Sequence, residues 1–153
     1  MIRVELPVPT APDALWRFVG DLPRWGDLLP TMDSVTPVTP AGGDATGGAA
    51  AGGQMIGVGS RFDVRQPGLR PAVYTVTRWD PGAGFDWEAT TFGFRTAATH
   101  DVLRDGDGSL LVLTLDWSGP MAWLARCTFG RKAEAMVREE ARTFARLATA
   151  GQA

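Results

Sequence analysis

The stretch "FRTAATHDV", residues 94 to 102, places Phe94, Thr96, Ala98, His100 and Val102 on one side of an extended chain. His100 is the only histidine in the sequence, and the residues beside it are too small to fill a core. Leaving a buried imidazole without partners costs about 1–3 kcal/mol. A ligand or water above Thr96 and Ala98 would remove that cost. So would a hydrogen bond to a neighbouring Thr, Asp or backbone group, which would make the ring structural. Imidazole titrates near neutrality, so a working His100 suits general acid or base chemistry. Examples are enolising a β-keto unit or protonating a carbonyl during an aldol ring closure.

Tyr74, the only tyrosine, is the second candidate. Its phenol can donate to a ligand carbonyl, or its ring can pack with the hydroxyl in water. Among the tryptophans, Trp87 and Trp117 are placed to stack on a flat ligand, and Trp16 and Trp25 fall among the apolar residues of two short helices. Arg61, Arg65 and Arg95 are solvated strand residues unless the strands face the other way, in which case they would hold an enolate or carboxylate. One His and one Cys are too few for a conventional zinc or iron site, which draws three or four N/S ligands from one place. No spaced Asp cluster suggests a hard cation, and the glycines of residues 42 to 53 match no Walker or dinucleotide fingerprint. No metal or cofactor is therefore expected. Cys127 cannot form an intramolecular disulfide and reads as a small core residue.

These residues must be held by about one domain's length of chain. The sequence has 153 residues, 44% hydrophobic and 21% charged, which suits a globular protein with one core. A formal net charge of -2 gives no general attraction to nucleic acid. The start "MIRVELPVPT" resembles no signal peptide, and no apolar run approaches the roughly 20 residues of a membrane span. A cytoplasmic location and a monomer or weak homodimer are expected. The arginines and Lys132 near the C-terminus are diluted by Glu134, Glu139 and Glu140, as on a solvated helix face with ion pairs.

Residues 2 to 8 alternate as a strand with one buried face. "TAPDALWRFVG" then reads as a helix with Pro12 in its first turn and Gly20 at its end, and a second short helix runs from Asp21 to Pro30. A strand is expected at 31 to 39. The segment "PAGGDATGGAAAGG", residues 40 to 53, holds six Gly and five Ala and reads as a flexible loop within a single domain spanning 1 to 150. Strands near 60 to 66, 71 to 80, 83 to 92, 94 to 104 and 109 to 118 are separated by turn chemistry in "PGLR", "PGAG", "FG" and "DGDG". In the 71 to 80 strand the inward face is undecided, because Tyr74 and Val76 compete with Val73 and Trp79. A long helix follows Pro120, with Val137, Ala141, Phe144 and Ala148 at helical spacing, flanked by Ala133, Met136 and Leu147. Its roughly 28 residues span about 42 Å, enough to cross strands of roughly 33 Å. A curved antiparallel sheet crossed by a straight helix leaves room for a cavity.

That order of elements is joined by specific segments. They are "VPTAPDALWRFVGDLPRWGDLLP" at 8 to 30, "GVGSRF" at 57 to 62, "WDPGAGFDWEA" at 79 to 89, "THDV" at 99 to 102 and "GPMAWL" at 119 to 124. On these the chain resembles the START-like superfamily, also called SRPBCC, and is most similar to its bacterial polyketide cyclase/dehydrase branch. The resemblance implies an α+β helix-grip fold: about seven curved antiparallel strands around a long C-terminal helix, with two short helices after the first strand. Members bind hydrophobic small molecules in the central cavity; some cyclise or aromatise polyketide chains, and others bind or carry lipids. The family has no universal catalytic signature to carry over.

Strand parity supplies the cavity wall. Phe62, Val64, Phe85 and Trp87 are expected on it, with Thr96, Ala98, His100 and Val102, and with Leu113, Leu115 and Trp117. Met136, Val137 and Phe144 would face them from the helix. Two functions remain open. One is binding of a hydrophobic or polyketide-like small molecule. The other is a polyketide cyclase or aromatase that catalyses aldol-type ring closure or dehydration of a bound chain. Orientation alone can supply about 7–11 kcal/mol, so the second needs no conspicuous triad. An interaction module would instead fill the cavity with its own side chains and expose an apolar patch.

Overall fold

A computed structural model describes residues 1–38, 55–91 and 93–150 of the chain. The Gly/Ala-rich segment 40 to 53 lies outside the described residues. Strand β1 (Ile2–Val8) is followed by helix α1 (Pro12–Val19), a single 3-10 turn at Leu22–Arg24 and the one-turn helix α2 (Trp25–Leu28). Strands β2 (Ser34–Pro37), β3 (Arg61–Arg65), β4 (Ala72–Asp80), β5 (Gly84–Thr91), β6 (Phe94–Asp105) and β7 (Gly108–Ser118) come next, followed by helix α3 (Ala122–Ala150). All strand pairs are antiparallel, in the order β1-β7-β6-β5-β4-β3-β2. This is the seven-stranded α+β helix-grip arrangement. No helix among the described residues is long and apolar enough to cross a membrane.

The first strand returns to pair with the last, Val4 opposite Leu113 and Val8 opposite Ser109, because its alternation buries Val4 and Val8. Pro12 opens α1, where its missing N–H costs nothing, and Leu15 and Val19 point into the core. Trp25 in α2 is wholly buried, its indole N–H donating to the Phe18 carbonyl oxygen at 3.2 Å. Its ring lies 5.5 Å from Phe144 of α3 and 5.8 Å and 5.4 Å from Phe85 and Trp87 of β5. It therefore bridges helix and sheet.

The undecided face of β4 has a local cause. Val76 pairs with Trp87, but Arg78 pairs with Asp86, so the register shifts by one residue between them. This is a β-bulge, in which the extra residue bends and twists its strand. Tyr74 and Val76 face inward before it and Trp79 after it, where Trp79 lies 5.3 Å from Trp16 and 5.5 Å from Phe85. Both halves of the alternation are thus satisfied on one face.

The core falls into two clusters. The larger surrounds Trp25, Phe85, Phe62 and Phe144. The smaller joins Trp117, Ala122 and Ala125 at the start of α3. Cys127 is exposed rather than in the core, because Ala122 and Ala125 set the inward face and a residue two further on points away from it.

On the outer face of the sheet, one Arg78 nitrogen, Nη2, donates to Asp86 Oδ1 at 2.8 Å and to Asp101 Oδ1 at 2.5 Å, tying β4 to β5 and β6. Gly84 permits the close approach beside it. A Cβ there would stand 2.5 Å from the His100 carbonyl oxygen and 2.6 Å from Asp101 Oδ1. Gly84→Ala is expected to destabilise the fold by about 1–3 kcal/mol through overpacking of backbone. Chemical denaturation checks this, and an unchanged midpoint would show that β5 and β6 separate freely.

Candidate functional site

Between the sheet and α3 lies a cavity of about 540 Å³. Its volume comes from small residues in register: Ala89 of β5 stands opposite Thr96 of β6, and Trp87 stands opposite Ala98. Leu113, Leu115 and Trp117 of β7 continue the wall, and Ala133, Met136 and Val137 of α3 face them. Gly68, Arg70, Thr91, Phe129 and Lys132 are lining and exposed at once, so the mouth opens between the β3–β4 turn and the first half of α3.

The wall is mostly apolar and carries one internal polar group of side chains. His100 and Glu140 are 4% and 7% exposed, and His100 Nε2 lies 3.4 Å from Glu140 Oε1. The imidazole stacks flat on Phe85, with centroids 4.3 Å apart and planes 7° apart, and Trp25 lies tilted against both rings, 5.3 Å from His100 and 5.8 Å from Phe85. His100 Nδ1 is buried without a hydrogen-bond partner among the described residues. A proton placed there would be an unpaired donor, so in the neutral ring the proton belongs on Nε2, facing the Glu140 carboxylate.

Tyr74 completes the group from β4, its ring 4.8 Å from Trp87. Burial pushes its phenol up from 10.0 to about 12, with the Glu140 charge adding to the rise and a hydrogen bond with Thr96 pulling the other way. The phenol therefore stays protonated, a donor throughout the physiological range.

Of the residues expected on the wall, Val64, Trp87, Thr96, Ala98, His100, Leu113, Leu115, Trp117, Met136 and Val137 line the cavity, as does Tyr74. Phe62, Phe85, Val102 and Phe144 do not; they belong to the larger core cluster. Parity along a strand and spacing along a helix fix the side but not the position along the element, and these four lie in the core shared with Leu15, Val19 and Trp25 of α1 and α2. Arg61, Arg65 and Arg95 are exposed. Arg65 Nε sits 3.2 Å from Asp63 Oδ1 and Arg95 Nη1 3.8 Å from Glu88 Oε2.

The partner of His100 is neither a neighbouring Thr or Asp nor backbone, but Glu140, read from sequence as part of a solvated face. The signal was present. Met136, Glu140 and Phe144 are four residues apart, so Glu140 stands within the apolar stripe of α3. Gln66 and Leu69 at the mouth, on the β3–β4 turn, carried no periodic signal. Among the described residues no three His, Cys, Asp or Glu side chains are grouped to hold a metal ion.

The fold has many solved counterparts. The di-domain aromatase/cyclase StfQ of the steffimycin biosynthetic pathway matches with a TM-score of 0.75 at 11% identity, over 98% of this chain and 50% of its own. A norcoclaurine synthase point mutant of Thalictrum flavum, in complex with a transition state analogue, matches with a TM-score of 0.67 at 18% identity, over 99% and 95% of the two chains. A protein of Thermus thermophilus gives a TM-score of 0.67 at 18% identity, over 99% of each chain. At such identities these likenesses describe the fold alone. No curated protein is significantly similar in sequence. The family model described as polyketide cyclase / dehydrase and lipid transport matches residues 1–149. With nearly its whole length matched, this chain belongs to the polyketide cyclase / dehydrase and lipid transport family.

Proposed function

We propose that the protein binds a largely apolar, oxygen-bearing small molecule of polyketide-like character in the cavity between sheet and α3. One observation carries this reading: a mostly apolar chamber of about 540 Å³ with the buried His100 and Glu140 and the half-buried Tyr74 on its wall. Chambers of a few hundred Å³ with few convergent polar groups are the usual form of small-molecule sites. Apolar walls supply affinity through burial, and the polar group selects ligands whose oxygens reach it. Family membership supports the same ligand class.

Cyclisation or dehydration of the bound chain is the second reading, favoured by a protonated phenol and a carboxyl group held on one largely apolar wall. A carbonyl accepting from Tyr74 would be polarised next to a group able to take a proton.

The uncharged naphthyl ketone prodan tests the binding reading. It should bind saturably with a blue-shifted emission and quench Trp87 and Trp117. Ala98→Phe, which fills the chamber, should weaken it by at least about tenfold, or about 1.4 kcal/mol. Prodan that binds equally to the filled variant would place the ligand elsewhere.

The state of Tyr74 is directly measurable, because a single tyrosine makes the ultraviolet tyrosinate signal specific. Its titration in the folded protein should centre at about 12, and Glu140→Gln should lower that midpoint. The unfolded chain loses this proton first, so stability should fall as pH rises from about 10 towards about 12. A midpoint near the ordinary value of 10.0 would mean the phenol faces water.

A further inference from the structure

The geometry points to Glu140 as the proton-accepting catalytic residue of this site, with His100 as its positioning residue and Tyr74 as the carbonyl donor. This rests on the cavity reading above and assigns roles within it. Glu140 is a carboxylate on the cavity wall of α3, 7% exposed, and no apolar purpose explains it there. Burying a carboxylate is costly unless something holds it. The Nε2 of His100, 3.4 Å away, is the group that does so. Because His100 Nδ1 has no partner, the ring has one productive orientation, its Nε2–H towards Glu140. Phe85 stacked on its face, with Trp25 and Trp87 packed against it at 5.3 Å and 5.9 Å, restricts its turning. One edge of the imidazole is thus committed to the carboxylate and the other is sealed. The remaining lone pairs of Glu140 are free for a guest in the cavity.

The step balances without a co-reactant. Glu140 takes a proton from a carbon next to a ligand carbonyl, and that C–H electron pair becomes the C=C bond of an enolate. The carbonyl π pair moves to oxygen, which accepts a hydrogen bond from Tyr74. The enolate carbon can then form a C–C bond to a second carbonyl carbon of the same chain. The oxygen released there takes the proton back from Glu140, and nothing is oxidised or reduced. With no second carbonyl in reach, the only event is exchange of the α-proton with solvent.

That exchange provides the test. β-Tetralone, an apolar bicyclic ketone with acidic α-protons, is incubated with the protein in deuterated buffer and followed by proton NMR, with its binding read from tryptophan quenching. At saturating ketone, so that affinity does not enter, the wild-type protein should accelerate deuterium uptake by about 10²–10⁴-fold over buffer. Glu140→Gln should return it close to the buffer rate. His100→Leu should lower it at least about tenfold, and His100→Gln, whose amide N–H replaces Nε2–H, should recover most of that loss, as expected of a group that positions without transferring the proton. Thermal melting confirms that each variant is folded, and Glu140→Met substitutes for a Gln variant that is not.

Bound ketone without accelerated exchange, or full exchange in the Glu140 variants, would overturn the assignment while leaving the binding reading intact. Equal loss in both His100 variants would show that the imidazole itself carries the proton. Failure of prodan to bind would remove the cavity reading first, and this one with it.

Discussion

Trp25 sets the separation between α3 and the sheet. Its ring contacts Phe144 on one side and Phe85, Trp87 and His100 on the other. A rigid helix, held off the sheet at one end by an indole and resting at the other on Trp117 through Ala122 and Ala125, cannot settle onto the strands between. The side chains available in that middle stretch, Ala89, Thr96, Ala98 and Ala133, are too short to meet across the gap. The chamber is therefore a product of two wide supports and a narrow span. Protein interiors otherwise pack at crystal-like density, so a void on this scale needs such a prop.

The same wedge organises the chemistry. The indole that spaces the helix also packs against His100, whose face is stacked on Phe85, so the imidazole is fixed at the boundary between packed core and open chamber. Glu140 lies one helical turn from Phe144. It therefore arrives at that same boundary from the opposite wall, and the pair meets there. Behind the sheet, Arg78 bridging Asp86 and Asp101 and the Thr99–Thr114 hydroxyl contact hold β6 between its neighbours. The strand that presents His100 is thus secured on the side away from the cavity.

Much of this was legible in the residues. Period-two and helical patterning, with the turn chemistry of "PGAG" and "DGDG", located every strand and the long helix to within a few positions. The small side chains at Thr96 and Ala98 pointed to empty space beside His100. What sequence could not supply was depth. Parity places Phe62, Phe85 and Val102, and helical spacing Phe144, on the correct side, yet the α1–α2 segment fills their end of the interior, and that docking is a tertiary event with no local signature. Glu140 was hidden by its own charge, since a carboxylate amid arginines is usually solvated. Only its four-residue spacing from Met136 and Phe144 marked it otherwise. For Cys127 composition misled, because the exposed stretch near the start of α3 also carries Trp123 and Leu124.

The bulge in β4 has a consequence for kinship. Thr77 is the supernumerary residue between Val76 and Arg78, so a cousin lacking it would keep the counterparts of both Tyr74 and Trp79 facing inward, on a strand that alternates without interruption. In aligned sequences a one-residue gap at this point should leave the downstream aromatic and polar types as they are, whereas a chain of equal length that pairs this position regularly should carry them swapped. Comparisons that ignore the gap would mistake an offset of one position for a loss of the residue.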